Sequence, residues 1–261
     1  MDKPYWHKQT SGKPLFPELE WSRPENKQHA GKLLIVGGNA HGFAAPAEAY
    51  AKATKAGIGS CRVLLPSAIQ KAVGPVLEHG EFAPSTPSGS FSQKALAEVL
   101  EHAAWADGVL VAGDLGRNSE TAILLEKFLA KSTASVTLTK DSVDYAVSAP
   151  QTVLHRADTL LVLSLAQLQR LGIAAKYEKP VTFGMDLLHL VDWLHEFTSR
   201  FAPYIIVKHL DSMFVAVGGQ VSTTKLAENL AVWRVGTAAK ASVWWVQNSS
   251  RPFEALTTGV L

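Results

Sequence analysis

The sequence predicts an α/β domain built on a mostly parallel sheet with helices on both faces. Short, wholly apolar segments alternate with helical patterns, and such uninterrupted apolar runs are typical of strands buried on both sides. Glycine turns join several of these strands to the helix that follows, which favours strand–helix–strand units with right-handed crossovers. The predicted strands cover residues 33–36, 61–65, 108–112, 136–138, 160–163 and 204–208.

The last third of the chain adds an antiparallel element. Residues 213–217 and 221–223 are strand-like and flank Gly218-Gly219, which is typical of a hairpin. Helical periodicity with capping signals defines the remaining elements. The predicted helices cover residues 45–56 and 185–201 and begin near Ser67, Glu120, Gly236 and Pro252.

The first thirty residues differ from the domain that follows. Four prolines alternate with aromatic residues there, so the segment is not expected to form regular helix, yet burial of its aromatic side chains is favoured over exposure to water. We expect residues 1–30 to be an ordered arm across the body or across a neighbouring subunit, with residues 31–261 as the single domain. Together with the alanine-rich helix, the arm predicts a homo-oligomer.

Composition excludes several classes of protein. With 47% apolar and 18% charged residues the chain is neither disordered nor a membrane protein, and no apolar run reaches the ~18 residues of a spanning helix. A net charge of +2 without a basic block argues against nucleic acid or lipid as partner and favours a small molecule. One cysteine, Cys61, forbids an internal disulfide and fits a reducing compartment, and no apolar leader opens the sequence. We expect a cytoplasmic location.

The start of the predicted domain carries three motifs in order: the segment Gly31-Lys-Leu-Leu-Ile-Val-Gly-Gly-Asn39, the pair Ala45-Pro46 and the helix exit Lys55-Ala-Gly-Ile-Gly59. In this order they resemble the start of the ADP- or ATP-dependent NAD(P)H-hydrate dehydratases, a family of the ribokinase-like superfamily. Later matches are weaker: Ala112-Gly113-Asp114-Leu115-Gly116 stands where the family has Gly-Pro-Gly-Leu-Gly, and Gly236-Thr237 fits the first half of Gly-Thr-Gly-Asp.

This resemblance implies a three-layer ribokinase-like fold and a nucleotide ligand. The implied cofactors are ATP or ADP with Mg²⁺, with an NAD(P)H-type ligand as substrate. By position, the residues implied to bind nucleotide are Lys208, Gly236, Thr237, Ala238 and Lys240, and those implied to line the substrate pocket are Gly38, Asn39, Ala45, Gly113, Asp114 and Ser164.

The departures from the family pattern all fall at the implied site. The aspartate of Gly-Thr-Gly-Asp, the family's general base, is replaced by Ala239, and its preceding glycine by Ala238. Losing a general base typically costs ~10²–10⁴-fold in rate. The family's Thr-Pro-His-x-x-Glu aligns so that Ser164 and Gln167 stand for the histidine and glutamate, and Asp114 puts a carboxylate where an anionic nucleotide would pass.

Simpler structural roles compete with these interpretations. The Gly37-Gly38-Asn39 segment is also an ordinary turn between strand and helix, and Gly236-Thr237 is also an ordinary helix cap. Lys240 either adds charge to a site or points to solvent. Acidic and histidine residues recur every three positions in the long helix, but they spread over about 120° of its surface, which predicts a solvated polar face and no metal site. Those residues are Asp186, His189, Asp192 and His195.

Two functional hypotheses follow. The first is a nucleotide-binding relative of the dehydratases whose catalysis is lost or impaired, and Ala239 favours it. The second is an active dehydratase or small-molecule kinase that uses another base, for which Asp141 and Asp114 are candidates. A purely structural assembly protein is a third reading, without a positive signature in the sequence.

Overall fold

The computed structural model describes residues 3–10, 12–74, 80–226 and 233–261, and these form one ten-stranded sheet with helices on both faces. Met1, Asp2 and Ser11 of the predicted arm lie outside the described residues. The strands are β1 (Trp6–Gln9), β2 (Lys32–Gly37), β3 (Ser60–Pro66), β4 (Gly80–Ala83), β5 (Gly108–Gly113), β6 (Ser135–Thr139), β7 (Thr159–Leu163), β8 (Tyr204–His209), β9 (Ser212–Val217) and β10 (Gln220–Lys225). The helices are α1 (Pro17–Trp21), α2 (Ala44–Lys55), α3 (Gln70–Val73), α4 (Leu96–Trp105), α5 (Ser119–Lys131), α6 (Asp141–Ser148), α7 (Pro150–Leu154), α8 (Leu165–Ala174), α9 (Leu187–Arg200), α10 (Arg234–Gln247) and α11 (Pro252–Gly259).

The sheet has the strand order β1-β10-β9-β8-β7-β6-β5-β2-β3-β4. All pairs from β8 to β4 are parallel, whereas β9 is antiparallel to both β8 and β10. Gly218 and Gly219 form the hairpin turn with φ of 54° and 85°, a conformation that favours glycine. The predicted parallel sheet with an antiparallel element near the end of the chain is confirmed.

Alternating side chains of each strand enter two separate cores. In β2, Leu34 and Val36 pack on the face that carries α4 to α9. Leu33 and Ile35 point to the opposite face, which carries α2, α3, α10 and α11. Because successive side chains of a strand point to opposite faces, an uninterrupted apolar strand has a core on each side. This arrangement gives the three layers.

The N-terminal arm adds to the sheet and covers part of α9. Strand β1 pairs in parallel with β10 and is itself the edge strand of the sheet. The Tyr5 ring stacks on His195 at a centroid distance of 3.7 Å, and its hydroxyl donates to Asp192 at 2.7 Å. Lys3 forms an ion pair with the same carboxylate. The prediction of a solvated face on α9 is therefore wrong for Asp192 and His195, because the arm lies on them.

Two local helix predictions need correction. The arm does contain a short helix, α1, because Pro17 sits in its first turn, where a missing N–H costs nothing. The helix predicted from Ser67 is only a 3₁₀ turn over Ser67–Ile69 followed by the single turn of α3. Among the described helices, none has the length and apolarity needed to cross a membrane.

Candidate functional site at the carboxyl edge of the sheet

The connections on the two sides of the β2–β5 pair run in opposite directions. From β2 the chain moves to β3 and β4 on one side, whereas from β5 it moves to β6, β7 and β8 on the other. In open α/β sheets, ligands bind in the crevice outside the carboxyl ends of the strands at such a switch point. The last residue of β5, Gly113, and the turns after β2 and β5, with Gly38, Asn39 and Asp114, hold residues that the sequence analysis assigns to a substrate pocket. Their proximity is direct: Gly38 donates its N–H to the Gly113 carbonyl at 3.0 Å.

Asp114 occupies the N-terminus of α2 with its own carboxylate. Its Oδ2 accepts the N–H of Ala45, the second helical residue, at 2.7 Å, and its Oδ1 lies 2.5 Å from Nζ of Lys140. The Asn39 amide donates to the Asp114 main-chain carbonyl at 2.6 Å. A helix N-terminus attracts anions through its free N–H groups and its dipole. The chain therefore fills this anion position with a group of its own.

Strained backbone supports the Asp114–Lys140 pair. Asp114 and Lys140 have φ of 57° and 55°, in the region that L-residues rarely adopt. Such conformations cost on the order of 1–3 kcal/mol each and persist only where surrounding contacts fix them. Gly113, with φ of 100°, has no room for a side chain, because a Cβ would lie 2.8 Å from Oδ1 of Asp141. The turn after β5 thus requires glycine and holds two carboxylates close together.

Asp141 is a buried carboxyl group with one unused oxygen. Its Oδ2 accepts the N–H of Leu115 at 2.9 Å, whereas its buried Oδ1 has no hydrogen-bond partner among the described residues. Burial raises the pKa of Asp141, and the nearby charge of Asp114 raises it further. This carboxyl group consequently holds a proton more readily than an exposed aspartate does.

Gln167 extends the polar network from the switch point to the start of α10. Its Nε2 donates to the Lys140 carbonyl at 2.7 Å and to Oδ1 of Asp144 at 2.8 Å. Its Oε1 accepts from Nη1 of Arg234 at 3.1 Å. Gln167 and Ser164 also cap α8 reciprocally, since each side chain binds the other residue's main-chain N–H. Ser164 therefore serves the helix start as well as lying at the carboxyl end of β7.

Helix α10 begins earlier than the sequence predicts. Arg234 is its first residue, and Thr237 already donates its N–H to the Trp233 carbonyl at 2.9 Å. Gly236-Thr237 is therefore not a cap, and the main-chain N–H groups from Thr237 to Lys240 serve the helix. The main-chain N–H groups that lack an acceptor within the helix are those of Arg234, Val235 and Gly236. The apolar side chain of Val235 is buried in the core, which favours helix one turn before the glycine.

The early helix start changes the surroundings of two predicted site residues. Ala238 and Ala239 are both 0% exposed and pack in the core between α10 and the sheet. Ala239 is the sixth residue of the helix, so it does not lie at the helix N-terminus. Ala238 sits in regular helix, where alanine is well suited, so it does not tighten a turn.

A cavity of about 530 Å³ lies beside the sheet, between α2 and α10, and we call it the α2–α10 groove. Gly236, Thr237 and Lys240 line it, which separates them from the predicted substrate residues at the carboxyl edge. Lys208 lies half-buried near the carboxyl end of β8, apart from the residues that line the groove. The predicted residues thus divide between the carboxyl edge, the groove and the core.

Sequence reasoning missed several residues of the edge network. Lys140, Asp144 and Arg234 were not assigned to the site, and Gln167 was noted only as a replacement. Lys140 directly follows β6, and this position at the end of a strand is the signal that could have assigned it to the site. Arg234 gave no such signal, since the helix start itself was misjudged.

Within the described ranges, no three His, Cys, Asp or Glu side chains are grouped as a metal site. The edge carboxylates of Asp114 and Asp144 are paired with Lys140 and Arg170. A divalent ion there would depend mainly on oxygen atoms of a bound ligand, as Mg²⁺ does when it bridges substrate phosphates.

No protein-family model and no curated protein matches the sequence. Solved structures do match. A ribokinase-like superfamily protein from Enterococcus faecalis aligns over 99% of this chain and 86% of its own, with a TM-score of 0.73 at 12% identity. The chain has the ribokinase-like fold. An ADP/ATP-dependent NAD(P)H-hydrate dehydratase from Bacillus subtilis, co-crystallized with ATP and Mg²⁺, aligns over 95% and 86% of the two chains, with a TM-score of 0.66 at 12% identity. A pyridoxal kinase from Staphylococcus aureus in complex with AMP-PCP aligns over 88% of this chain and 85% of its own, with a TM-score of 0.54 at 13% identity.

Proposed function

We propose that this protein binds a nucleotide at the carboxyl edge of its sheet and that its catalysis is lost or impaired. The fold is shared with a hydrate dehydratase that was co-crystallized with ATP and Mg²⁺ and with a pyridoxal kinase in complex with AMP-PCP. The free main-chain N–H groups of Arg234 and Val235, together with the Arg234 guanidinium at the start of α10, suit phosphate oxygens. Lys140 adds a second cation at the same edge.

The observation that carries this proposal is the absence of a carboxylate at the start of α10 in the described residues. In the resembled family the aspartate acts at the helix N-terminus that holds the phosphates. If the family's aspartate aligns with Ala239, a buried methyl group takes its place. If it aligns with the first residue of α10, the guanidinium of Arg234 takes its place. A guanidinium group stays protonated and cannot accept a proton from a substrate. Both alignments remove the base.

Two further positions support impaired catalysis. Ser164 and Gln167 stand where the family has histidine and glutamate, and here they cap α8. Asp114 fills the anion position of α2 and repels an anionic substrate. Since the edge carboxylates are largely committed to chain partners, Mg²⁺ would be held by nucleotide phosphates rather than by protein ligands.

The test combines binding with turnover. Isothermal titration with ATP, ADP, NADH and NADPH should detect a nucleotide complex, and Arg234→Leu should weaken it about tenfold or more by removing a charged contact. Arg200→Gln removes a cation near the end of α9 and serves as the control. Recovery of NADH absorbance from its hydrate, with ATP or ADP supplied, should show no turnover.

The assays can contradict the proposal in two ways. Turnover at the level expected of an intact dehydratase would contradict impaired catalysis. A protein that binds none of the four nucleotides, or an Arg234→Leu variant that binds as the unmodified chain does, would contradict nucleotide binding at this edge.

A working enzyme with another base is the second candidate, and Asp141 favours it. Its raised pKa and unused Oδ1 suit a proton acceptor beside the switch point. If the protein proves active as a dehydratase or as an ATP-dependent small-molecule kinase, Asp141→Asn should lower kcat about 100-fold or more while binding persists. An unchanged kcat would exclude Asp141 as the base.

We also propose a homo-oligomer in the cytoplasm. Trp21 of the arm is 88% exposed, which is unusual for so large an apolar side chain and suits an anchor in a subunit contact. Light scattering coupled to gel filtration should report a mass above that of the 28.1 kDa monomer. Trp21→Ser should lower that mass, and a monomer in both samples would contradict this assembly.

A further inference from the structure

The α2–α10 groove combines the volume of a small-molecule pocket with a charged lining. Its volume of about 530 Å³ lies within the ~300–1,000 Å³ range of small-molecule pockets. Four cationic side chains line it against two carboxylates, so its lining carries positive charge. The cationic residues are Arg23, Lys52, Lys55 and Lys240, and the acidic ones are Glu20 and Glu48.

These charges converge because of regular helix spacing. On α2, Glu48, Lys52 and Lys55 are four and three residues apart and therefore share one face. On α10, Gly236 and Lys240 are also four apart, and a Cβ at Gly236 would lie 3.4 Å from Oε1 of Glu48 and 3.5 Å from Cε of Lys52, so the side chains of α2 reach α10 at this point. The two helix faces thus enclose a shared space.

Lys240 is the cation whose surroundings point to a ligand. It lies half-buried, and the described residues provide no hydrogen bond or ion pair within 4 Å for its ammonium group. Burial lowers the pKa of Lys240 and the nearby charge of Arg23 lowers it further, while the charge of Glu20 partly opposes this shift. Taking an ammonium group out of water without an anionic partner is unfavourable, so a bound anion would relieve that cost.

The walls of the groove are apolar as well as charged. The indoles of Trp233 and Trp244 line it, and the Arg23 guanidinium lies 4.6 Å from the centre of the Trp244 ring. This stacking fixes one cation at the wall. Inorganic phosphate would use the charges but leave the apolar walls uncovered, whereas an organic phosphate uses both.

We propose that the α2–α10 groove binds a small organic phosphate, with the phosphate at Lys240, Lys52 and Arg23 and the organic part against the two tryptophans. This site is distinct from the nucleotide site proposed at the carboxyl edge, and either proposal can fail without the other. Asp114 fills its anion position at the edge, but the groove has charge left for a ligand.

The experiment titrates the full chain with phenyl phosphate, phenol and inorganic phosphate by calorimetry. Phenyl phosphate should bind more tightly than inorganic phosphate, and phenol should not bind. Lys240→Met and Lys52→Met should each weaken phenyl phosphate about tenfold or more, because each removes a charged contact. Lys127→Met, on the outside of α5 across the sheet, is the matched control and should bind as the unmodified chain does.

Melting temperatures separate a binding role from a structural one. Without ligand, Lys240→Met should melt about 1–3 °C higher than the unmodified chain, since it removes a half-buried charge that has no partner. The same variant should lose the stabilisation that phenyl phosphate gives. A residue kept only for folding would not gain stability on replacement.

Four results would overturn the proposal. They are no binding of phenyl phosphate by the unmodified chain, unchanged affinity in Lys52→Met, unchanged affinity in a folded Lys240→Met, or an equal loss in Lys127→Met. If Lys240→Met fails to fold, the affinity of Lys52→Met for phenyl phosphate decides between the outcomes, because Lys52 is exposed and its replacement does not disturb the core. The Arg234→Leu variant changes the carboxyl edge. It should bind phenyl phosphate as the unmodified chain does, but bind nucleotide more weakly.

Discussion

The carboxyl edge and the α2–α10 groove both concentrate charged side chains, but they satisfy them differently. At the edge, the Asp114 carboxylate is bound by Lys140 and by the N–H of Ala45, and Gln167 joins this pair to Arg234. In the groove, Lys240 and Lys52 have no such partners among the described residues. A polar network that satisfies itself is preorganised but has less charge left for a ligand, whereas unsatisfied cations favour an incoming anion.

The largest expected effect comes from returning the family's carboxylate to position 239. Ala239→Asp buries a charge in the core beneath α10 and should lower the free energy of unfolding by about 3 kcal/mol or more, without restoring turnover. Adding Ala238→Gly should cost about 1 kcal/mol more, because glycine weakens a helix interior. Urea denaturation measures both changes. Ala51→Asp on the exposed side of α2 is the control and should stay close to the unmodified chain. A stable, active Ala239→Asp protein would mean that position 239 does face the edge.

The next effect tests how far the edge depends on its internal anion. Asp114→Asn keeps the size of the side chain and tolerates positive φ, but it removes the charge that Lys140 and the α2 N-terminus share. The free energy of unfolding should fall by about 2 kcal/mol, and binding of ATP at the edge should strengthen. Denaturation and calorimetry on the same variant measure the two changes. An equally stable variant with unchanged affinity would show that the pair does not occupy an anion position.

A smaller effect concerns pH and Asp141. Because burial raises the pKa of Asp141, the folded protein holds this proton more tightly than the unfolded chain does. The resulting destabilisation is absent below the unfolded pKa, grows as the pH rises above it, and is complete above the folded pKa. Asp141→Asn removes it, so the variant should gain stability over the unmodified protein at pH 7 but not at pH 3. Melting temperatures across that range measure the difference, and a constant offset would contradict the titration of this group.

The smallest effect on stability is expected at the wall of the groove. Arg23 is exposed, and its guanidinium bonds the Ala56 carbonyl and stacks on Trp244. Arg23→Gln should change the free energy of unfolding by about 0.5 kcal/mol, because exposed contacts contribute little. It should still weaken phenyl phosphate several-fold while nucleotide binding at the edge stays the same. Loss of nucleotide affinity in this variant would mean that the two regions form one site.

The sequence predicts the sheet better than it predicts the candidate site. Apolar runs such as residues 33–36 are typical of strands covered on both faces, so the mostly parallel sheet and the three layers could be inferred. The turn residues Gly38, Asn39, Gly113 and Asp114 were recognisable because each follows a strand.

Contacts between distant elements could not be inferred from the sequence. Nothing in the sequence around Gln167 indicates that its amide reaches both Lys140 and Arg234, because that contact depends on the packing of three elements. The start of α10 was misjudged because Gly236-Thr237 is typical of a helix boundary, while burial of Val235 favours an earlier start. Position 239, on which the sequence-based argument rested, consequently lies in the core.

The pairing of β1 with β10 has a consequence for how the protein is made. Trp6 lies opposite Val221, so the first strand cannot find its partner until more than two hundred further residues have left the ribosome. Domains otherwise fold progressively as their N-terminal parts emerge. Tyr5 and Trp6 therefore lack these partners during most of synthesis, and their docking on His195 and β10 cannot begin before those elements have been made.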